Sequence, residues 1–301
     1  MGIENLIRKM TALSVVLLAF FFLPAVSYAA MYIDEIGRNV DIGENPKRIV
    51  SLAPNITETL FALGLEKEIV GVTVFSNYPE AAREKARIGS FVNISLEKIV
   101  ALSPELVIAT ANGNRKKSIL KLAEVGIPVY VISPEGFEDI FKTIMNIGRI
   151  TGRADEATIL VDNLRQRVDR VRLLTRNLKK PRVFFQIGID PIVSVGRNTI
   201  HSRLITLAGG INIFGDVEIE YPRTSIEKVI MKRPDVIIIS SMKRGGKFDQ
   251  EKNKWNVWKD IPAVNSDRIH VIDSDLTDHF STRIVDGLEE LFRLIHQGTD
   301  N

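Results

Sequence analysis

Two segments, one in each half of the chain, repeat each other in register. Residues 95–108 have the sequence SLEKIVALSPELVI, and residues 225–238 have the sequence SIEKVIMKRPDVII. Each copy joins a serine and a helical pattern to a proline and then to an apolar run typical of a buried strand. Phe91 or Tyr221 precedes each copy, and a second apolar run, residues 128–132 or 268–272, follows it. Because such self-similarity predicts duplicated architecture, we expect two similar α/β lobes with mostly parallel, Rossmann-like sheets.

A long amphipathic segment lies between the two repeats. From residue 154 to residue 180, apolar side chains recur at steps of three and four, and neither Gly nor Pro interrupts them. Asp155 and Glu156 suit the positive start of a helix, and Pro181 is expected to end it. We therefore predict one long, rigid helix of about 40 Å that joins the lobes and leaves a cleft between them.

The first thirty residues have the pattern of a cleaved secretion signal. Arg8 and Lys9 precede an uncharged run from residue 10 to residue 26, and small residues follow at Ser27 and Ala29. This arrangement predicts export, with cleavage after Ala29 or Ala30. A retained membrane anchor is the alternative, but the strongly apolar part is short for a span of about 20 residues.

The composition narrows the location and the partners. The chain has no cysteine, which excludes disulfides and a lipid attached to cysteine near the cleavage site. With 40 Lys and Arg against 37 Asp and Glu, the charge balance does not argue for nucleic acid or an acidic membrane as a partner. We expect an exported, periplasmic monomer without a lipid anchor.

These features divide the chain into four parts. We predict a signal peptide over residues 1–29, an N-terminal α/β lobe over residues 31–151, a connecting helix over residues 152–180 and a C-terminal α/β lobe over residues 181–301.

Asn55 and Glu58 have the spacing of a capping box at the start of a helix over residues 56–63. Residues 240–254, rich in Lys and Gly, are expected to form a polar loop before a short helix over residues 255–258.

A search for catalytic motifs finds little. The sequence has no glycine-rich phosphate loop, no nucleophile elbow, no histidine pair at helical spacing and no cysteine nucleophile. Asp273, Asp275, Asp278 and His279 cluster after a predicted strand, but they lack the glycine and the distal glutamate of a calcium loop. We interpret this cluster as a loop that lines a cleft, and we predict no metal, no cofactor and no enzyme activity. A periplasmic hydrolase that uses these four residues on a metal is the alternative.

Glu97 and Glu227 occupy the same position in the two repeats. Each follows a serine that can cap a helix, so each carboxylate could simply complement the positive end of its helix. Two matched carboxylates, one on each lobe, would also suit a partner with two-fold symmetry. The residues themselves leave both interpretations open.

The whole pattern resembles a known family. The resemblance rests on six features: the apolar N-terminus, the strand over residues 48–52, the duplicated glutamate motif, the connecting helix, the sequence RVFFQIG at residues 182–188 and the sequence LAGGINIF at residues 207–214. Together they resemble the periplasmic binding proteins of ABC importers whose two lobes are joined by a single helix. Residues 76–79, 182–188, 190–191 and 221–222 are most similar to the cobalamin-binding members of that group.

The resemblance implies roles for eight residues. Glu97 and Glu227 match the glutamates by which the family docks onto a permease dimer. The expected ligand-binding residues are Tyr78, Phe91, Thr110, Tyr221, Asp275 and His279. Tryptophans of the cobalamin binders are replaced here by Phe91, Tyr221 and Thr110, and an arginine is replaced by His279.

The function implied is capture of cobalamin in the cleft between the lobes and its delivery to an inner-membrane ABC permease. Cobalamin would be the transported ligand and not a cofactor. A corrinoid is large, and a cleft between lobes suits it better than a pocket of several hundred Å³ inside one lobe. The alternative ligands are a ferric siderophore, haem or a metal ion.

Overall fold

A computed structural model describes residues 29–241 and 247–298. Apart from Ala29, the predicted signal peptide lies outside these residues, and so does part of the segment predicted as a polar loop. Among the helices in the described ranges, none is both long and apolar enough to cross a membrane.

The N-terminal lobe begins with an antiparallel hairpin of β1 (Ala29–Ile33) and β2 (Asn39–Gly43). Its parallel strands are β3 (Ile49–Ser51), β4 (Ile69–Val72), β5 (Ala86–Arg87), β6 (Leu106–Thr110) and β7 (Val129–Ile132). These strands form a sheet in the order β5-β4-β3-β6-β7, and each bonded pair is parallel. The helices of this lobe are α1 (Pro54–Ala62), α2 (Leu96–Ala101), α3 (Lys116–Glu124) and α4 (Phe137–Ile150).

The connecting helix, α5, spans Ala154–Thr175. It ends at Thr175 and not at residue 180, so the predicted length was wrong at its C-terminal end. The backbone leaves the helix in a turn, in which the N–H of Leu178 donates to the carbonyl of Thr175. Pro181 then disfavours a helical conformation for the residue before it.

The C-terminal lobe follows the same plan. Its strands are β8 (Arg182–Ile189), β9 (Ile192–Ser194), β10 (Ile211–Asn212), β11 (Val236–Ser241) and β12 (Ile269–Asp273). The order β10-β8-β11-β12 is parallel, and β9 pairs antiparallel with β8. The helices are α6 (Ile200–Leu207), α7 (Ile226–Lys232), α8 (Lys247–Trp255), α9 (Pro262–Asn265) and α10 (Ile284–His296). The fold class expected from the repeat, two similar α/β lobes joined by one long helix, is confirmed.

Helix α8 corrects the prediction for residues 240–258. Much of the expected polar loop is helical, and Trp255 is the last residue of α8 instead of the first of a short helix. Trp255 is buried, and its indole N–H donates to Oε1 of Gln186 at 2.9 Å. This contact across the lobe helps to fix a segment whose Lys-rich and Gly-rich composition favours a loop.

One apolar cluster runs through both lobes. It includes Phe141 of the N-terminal lobe, Leu164 of α5 and Leu288 of α10, all buried. Two further clusters are confined to single lobes, one around Val107 and the other around Phe184. The lobes are therefore held together by continuous packing in addition to the chain connection.

Candidate ligand-binding cleft

The cleft is built from loops that leave the carboxyl ends of the parallel strands. In open parallel sheets this is the edge at which ligands bind, because the loops and helix starts converge there. The loops after β4, β5, β6, β10 and β12 supply most of the side chains described below. Helices α2 and α7 each precede a strand, β6 and β11, so their first turns lie toward this same edge.

Glu58 of α1 joins the two lobes. Its side chain is only 3% exposed, and its carboxylate accepts from the hydroxyl of Ser281 at 2.5 Å. Its other oxygen lies 3.2 Å from Nδ1 of His279 and 3.5 Å from a guanidinium nitrogen of Arg283. The predicted capping box was wrong, because the N-cap of α1 is Ala53 and no side chain caps that helix. Glu58 instead binds residues more than two hundred positions further along the chain.

Tyr78 lies beside this contact between the lobes. The guanidinium carbon of Arg283 lies 4.0 Å from the centre of the Tyr78 ring, a distance typical of a cation–π contact. Tyr78 also lines a cavity of about 330 Å³ together with residues of α1, α5 and α10. In that cavity Arg167 of α5 bonds to Asp286, and it also bonds to Glu289 of α10. Tyr78 is therefore half-exposed at a junction of the lobes and the connecting helix.

A second cavity, of about 250 Å³, lies on the C-terminal lobe, and we call it the Tyr221 cavity. Its lining consists of Ile187, Ile200, His201, Tyr221, Asp278 and Phe280. Tyr221 is half-exposed and meets the ring of His201 edge-on, with 6.4 Å between the ring centres. Burial, and then the carboxylates of Glu220 and Asp278, raise the pKa of Tyr221, so its hydroxyl keeps its proton at neutral pH. The cavity thus offers apolar faces, a phenol and one carboxylate.

His279 lies between two carboxylates, that of Glu58 on its Nδ1 side and that of Asp275 on its Nε2 side. Nε2 of His279 is 4.0 Å from the carboxylate of Asp275. Burial lowers the pKa of His279, but the hydrogen bond and the charge of Glu58, with the carboxylates of Asp275 and Asp278, outweigh burial and raise it overall. His279 therefore favours its charged form more than a free histidine does.

Phe91 and Thr110 are linked through Asn114 in the N-terminal lobe. The side-chain amide of Asn114 donates to the carbonyl of Phe91 at 2.7 Å, and its Oδ1 accepts from the backbone N–H of Thr110 at 2.8 Å. Gly113 lies against the Phe91 ring, since a Cβ atom at Gly113 would be 1.8 Å from its Cε1. Phe91 is half-buried, whereas Thr110 is buried.

Glu97 and Glu227 have matching environments. Ser95 and Ser225 cap their helices by accepting from the N–H groups of Lys98 and Lys228. The pKa of Glu97 is lowered by a hydrogen bond from its own backbone N–H and then by one from Ser95. The pKa of Glu227 is lowered by a hydrogen bond from Ser225 and then by one from its own backbone N–H. Both carboxylates are fully exposed and carry a negative charge at neutral pH.

The acidic loop after β12 does not form a metal centre in the part of the chain that the structure describes. No group of three or more His, Asp or Glu side chains there is arranged to hold an ion. Asp278 turns toward His201, with 2.8 Å between its Oδ1 and Nε2 of the ring, while His279 turns toward Glu58.

His201, Phe280 and Glu58 were not predicted from the sequence as parts of this region, and Asp278 was predicted only as part of a cleft-lining loop or, alternatively, as a metal ligand. His201 and Asp278 are 77 positions apart, so no local spacing connects them. The sequence offered only their positions in the repeated α/β pattern as a signal. His201 lies at the start of the helix after β9, and Asp278 lies in the loop after β12.

Two α/β lobes, a connecting helix and a cleft with one cavity at the strand ends and another beside the connecting helix define a two-lobed binding protein. In agreement, the chain belongs to the periplasmic binding protein family, whose model matches residues 49–276.

Particular relatives are similar over most of their length. A vitamin B12-binding protein of Vibrio cholerae is 30% identical over 248 residues, which is 81% of this chain and 87% of the relative. The crystal structure of the periplasmic vitamin B12-binding protein BtuF of Vibrio cholerae matches with a TM-score of 0.73 at 29% identity, covering 83% of this chain and 97% of that one. The periplasmic haem-binding protein RhuT of Roseiflexus sp. RS-1 matches with a TM-score of 0.74 at 28% identity, covering 83% of this chain and 98% of that one.

Proposed function

We propose that this chain is an exported, non-enzymatic solute-binding protein that captures a corrinoid, cobalamin, in the cleft between its lobes and delivers it to an ABC permease. The corrinoid is cargo and not a cofactor. Membership of the periplasmic binding protein family and the 30% identity to a vitamin B12-binding protein support this proposal. The predicted division into residues 1–29, 31–151, 152–180 and 181–301 is kept as part of it, with the helix itself spanning Ala154–Thr175 of the third part.

The observation that carries the proposal is the chemistry of the Tyr221 cavity. A corrinoid has a broad apolar macrocycle with a fringe of amides, and it needs flat apolar surfaces beside hydrogen-bonding groups. The rings of Tyr221 and Phe280 supply such surfaces, and the Tyr221 hydroxyl and the Asp278 carboxylate supply polar groups. At about 250 Å³ the cavity suits one edge of such a ligand, and the rest would lie in the cleft.

The six ligand-binding residues predicted from the sequence remain part of the proposal. They are Tyr78, Phe91, Thr110, Tyr221, Asp275 and His279. Tyr78 and Tyr221 are half-exposed and can present ring faces to a ligand. Thr110 is buried, so we assign it a supporting role behind Phe91 through their shared partner Asn114.

Glu97 and Glu227 are proposed to dock onto the permease. Their exposure, their ionised state and their equivalent positions on two similar lobes suit a partner built from two like subunits. Arginine pockets on that partner would bind them as charge-assisted pairs.

Calorimetric titration of the mature protein with cyanocobalamin tests the proposal, with haemin and a ferric siderophore as parallel ligands. We expect a one-to-one complex near nanomolar affinity, which corresponds to about 12 kcal/mol. No heat with cyanocobalamin would overturn the corrinoid assignment.

Haem is the second candidate, because the haem-binding protein RhuT is as similar in fold and in identity as BtuF is. One-to-one binding of haemin, with no heat from cyanocobalamin, would favour haem while keeping the transport role. If only the ferric siderophore or a metal ion binds, that ligand would replace the corrinoid in the proposal, and the transport role would be kept.

A further inference from the structure

The Tyr221 cavity has one charged group in its lining, the carboxylate of Asp278. Its Oδ1 atom accepts two hydrogen bonds, from Nε2 of His201 at 2.8 Å and from the hydroxyl of Thr277 at 3.1 Å. Among the described residues no hydrogen bond reaches Oδ2, and the side chain is 45% exposed. The carboxylate is thus held by one oxygen and presents the other toward solvent.

The histidine that holds Asp278 is itself fixed. The side chain of His201 is 5% exposed, and its ring stacks at a tilt on Phe185, with 5.3 Å between the ring centres. A carboxylate can only accept, so Nε2 of His201 carries the proton that is shared with Asp278. Nδ1 is buried without a hydrogen-bond partner, so a second proton there would have no acceptor. His201 therefore donates to Asp278 through Nε2 from a fixed orientation.

The surroundings disfavour a second anion at this position. The carboxylates of Glu220 and Asp278 both act on Tyr221, where after burial they help to raise the pKa of its hydroxyl. Neither Lys nor Arg lines the cavity among the residues that the structure describes. A ligand carboxylate placed against Oδ2 of Asp278 would meet a like charge in a half-buried setting, and no Lys or Arg in the cavity lining offsets that charge.

We infer that Asp278, oriented by His201, is a specificity-determining residue that accepts a hydrogen bond from an N–H group of the ligand and excludes ligand carboxylates. The inference rests on the proposed function and deepens it. The side chains of a corrinoid end in primary amides, which donate N–H, whereas haem carries two propionates. Asp278 selects the amide-bearing macrocycle.

The test compares two corrinoids that differ at their side chains, dicyanocobinamide, which bears primary amides, and dicyanocobyrinic acid, which bears carboxylates. Affinities of the wild type and of Asp278→Asn for both are measured by calorimetry, with cyanocobalamin as the reference ligand. Asparagine keeps the shape and an acceptor for His201 but turns an N–H donor toward the ligand. We expect the preference for the amide corrinoid over the carboxylate corrinoid to fall at least tenfold in Asp278→Asn. Asp260→Asn, an exposed carboxylate elsewhere on the same lobe, serves as the control.

His201 acts through Asp278 and is a positioning residue, so its test uses the same ratio. In His201→Phe the ring remains but the donor is lost, Asp278 can rotate, and the amide preference falls at least threefold. His201→Gln keeps a donor and restores part of the preference. In a chain that already carries Asp278→Asn, His201→Phe leaves the ratio unchanged, because its effect depends on the carboxylate.

The outcomes separate this inference from the proposed function. If the wild type binds cyanocobalamin but Asp278→Asn keeps the wild-type ratio, the inference is overturned and the proposed function stands. If the wild type binds no corrinoid, the ligand proposal fails and the inference fails with it. Circular dichroism and the thermal midpoint of each variant show whether it is folded, and if Asp278→Asn does not fold, the His201→Phe and His201→Gln ratios decide the question.

Discussion

The carboxylate of Glu58 in the N-terminal lobe lies 2.5 Å from the hydroxyl of Ser281 in the C-terminal lobe. Both side chains are almost completely buried. A buried carboxylate is stable only when its oxygens are satisfied, and here Ser281, His279 and Arg283 satisfy them from the opposite lobe. The lobes are therefore held in register by a polar contact as well as by the shared apolar core.

We expect Glu58→Ala to lower the free energy of unfolding by about 3 kcal/mol, because the substitution leaves the buried hydroxyl and the two cations without their shared partner. Glu58→Gln should cost less, about 1 to 2 kcal/mol, since one acceptor remains. Urea unfolding measures both variants. Glu66→Ala, an exposed glutamate of the same lobe, is the control and should change stability by less than about 0.5 kcal/mol. A cost for Glu58→Ala no larger than that of the control would show that the contact adds no stability.

The charge of His279 should make this contact depend on pH. The folded-state pKa of His279 is raised above the ordinary value of 6.5. A raised pKa means that the protonated ring stabilises the fold fully below about pH 6.5, and that this contribution is lost as the pH rises through the folded-state pKa. The stability difference between the wild type and His279→Gln should therefore be larger at about pH 6 than at about pH 9, as measured by urea unfolding.

NMR titration provides the direct control for this prediction. The resonance of His279, assigned by its loss in His279→Gln, should titrate above 6.5, whereas burial lowers the pKa of His270 and of His296. In Glu58→Gln the titration of His279 should move down. A midpoint for His279 at or below the ordinary value in the wild type contradicts the prediction.

Local patterns in the sequence predicted the fold well where they reflect packing on one face. In the helix Ile284–His296, for example, the amphipathic spacing of the apolar residues places them against the core along the whole length of the helix. The duplicated motif gave α2 with β6 and α7 with β11, including both serine caps. In these elements the local preference and the tertiary contacts favour the same structure.

The sequence was less informative where contacts between residues far apart in the chain determine the local structure. Glu58 has the spacing of a capping residue, but its partners lie in the other lobe. Trp255 closes a helix in a segment with the composition of a loop, because its ring is buried and bonded to Gln186. The link between His201 and Asp278 also arises only when helix α6 meets the loop after β12. Such pairs have no signature in the spacing of a single sequence.

Substitution of Tyr221 should separate its ring from its hydroxyl. We expect Tyr221→Ala to weaken cyanocobalamin binding at least tenfold, because the ring supplies an exposed apolar face at the cavity. Tyr221→Phe keeps that face, and it should weaken binding only about twofold to tenfold, because one hydrogen bond contributes about 0.5 to 1.5 kcal/mol. Calorimetric titration measures both variants. Equal losses in the two would assign the contribution to the hydroxyl instead of the ring.

The docking role of Glu97 and Glu227 predicts a separation of transport from binding. The double variant Glu97→Ala with Glu227→Ala should abolish uptake of radiolabelled cyanocobalamin in cells that carry the cognate permease and lack their own copy of this protein. Its affinity for cyanocobalamin should stay within about twofold of the wild type, because both carboxylates are fully exposed in the first turns of their helices and neither lines a cavity described above.

The matched control for this experiment removes one exposed carboxylate from each lobe elsewhere, Glu124→Ala with Asp260→Ala. This pair leaves the net charge equal to that of the docking variant, so a nonspecific loss of negative charge would impair both pairs alike. We expect normal uptake by the control variant and no uptake by the docking variant, with equal ligand affinity in both. This result would show that uptake depends on the positions of Glu97 and Glu227 and not on net charge alone. If uptake survives in the docking variant, Glu97 and Glu227 do not dock onto the permease. Their role is then only to place a negative charge at the positive ends of two short helices, next to the capping serines.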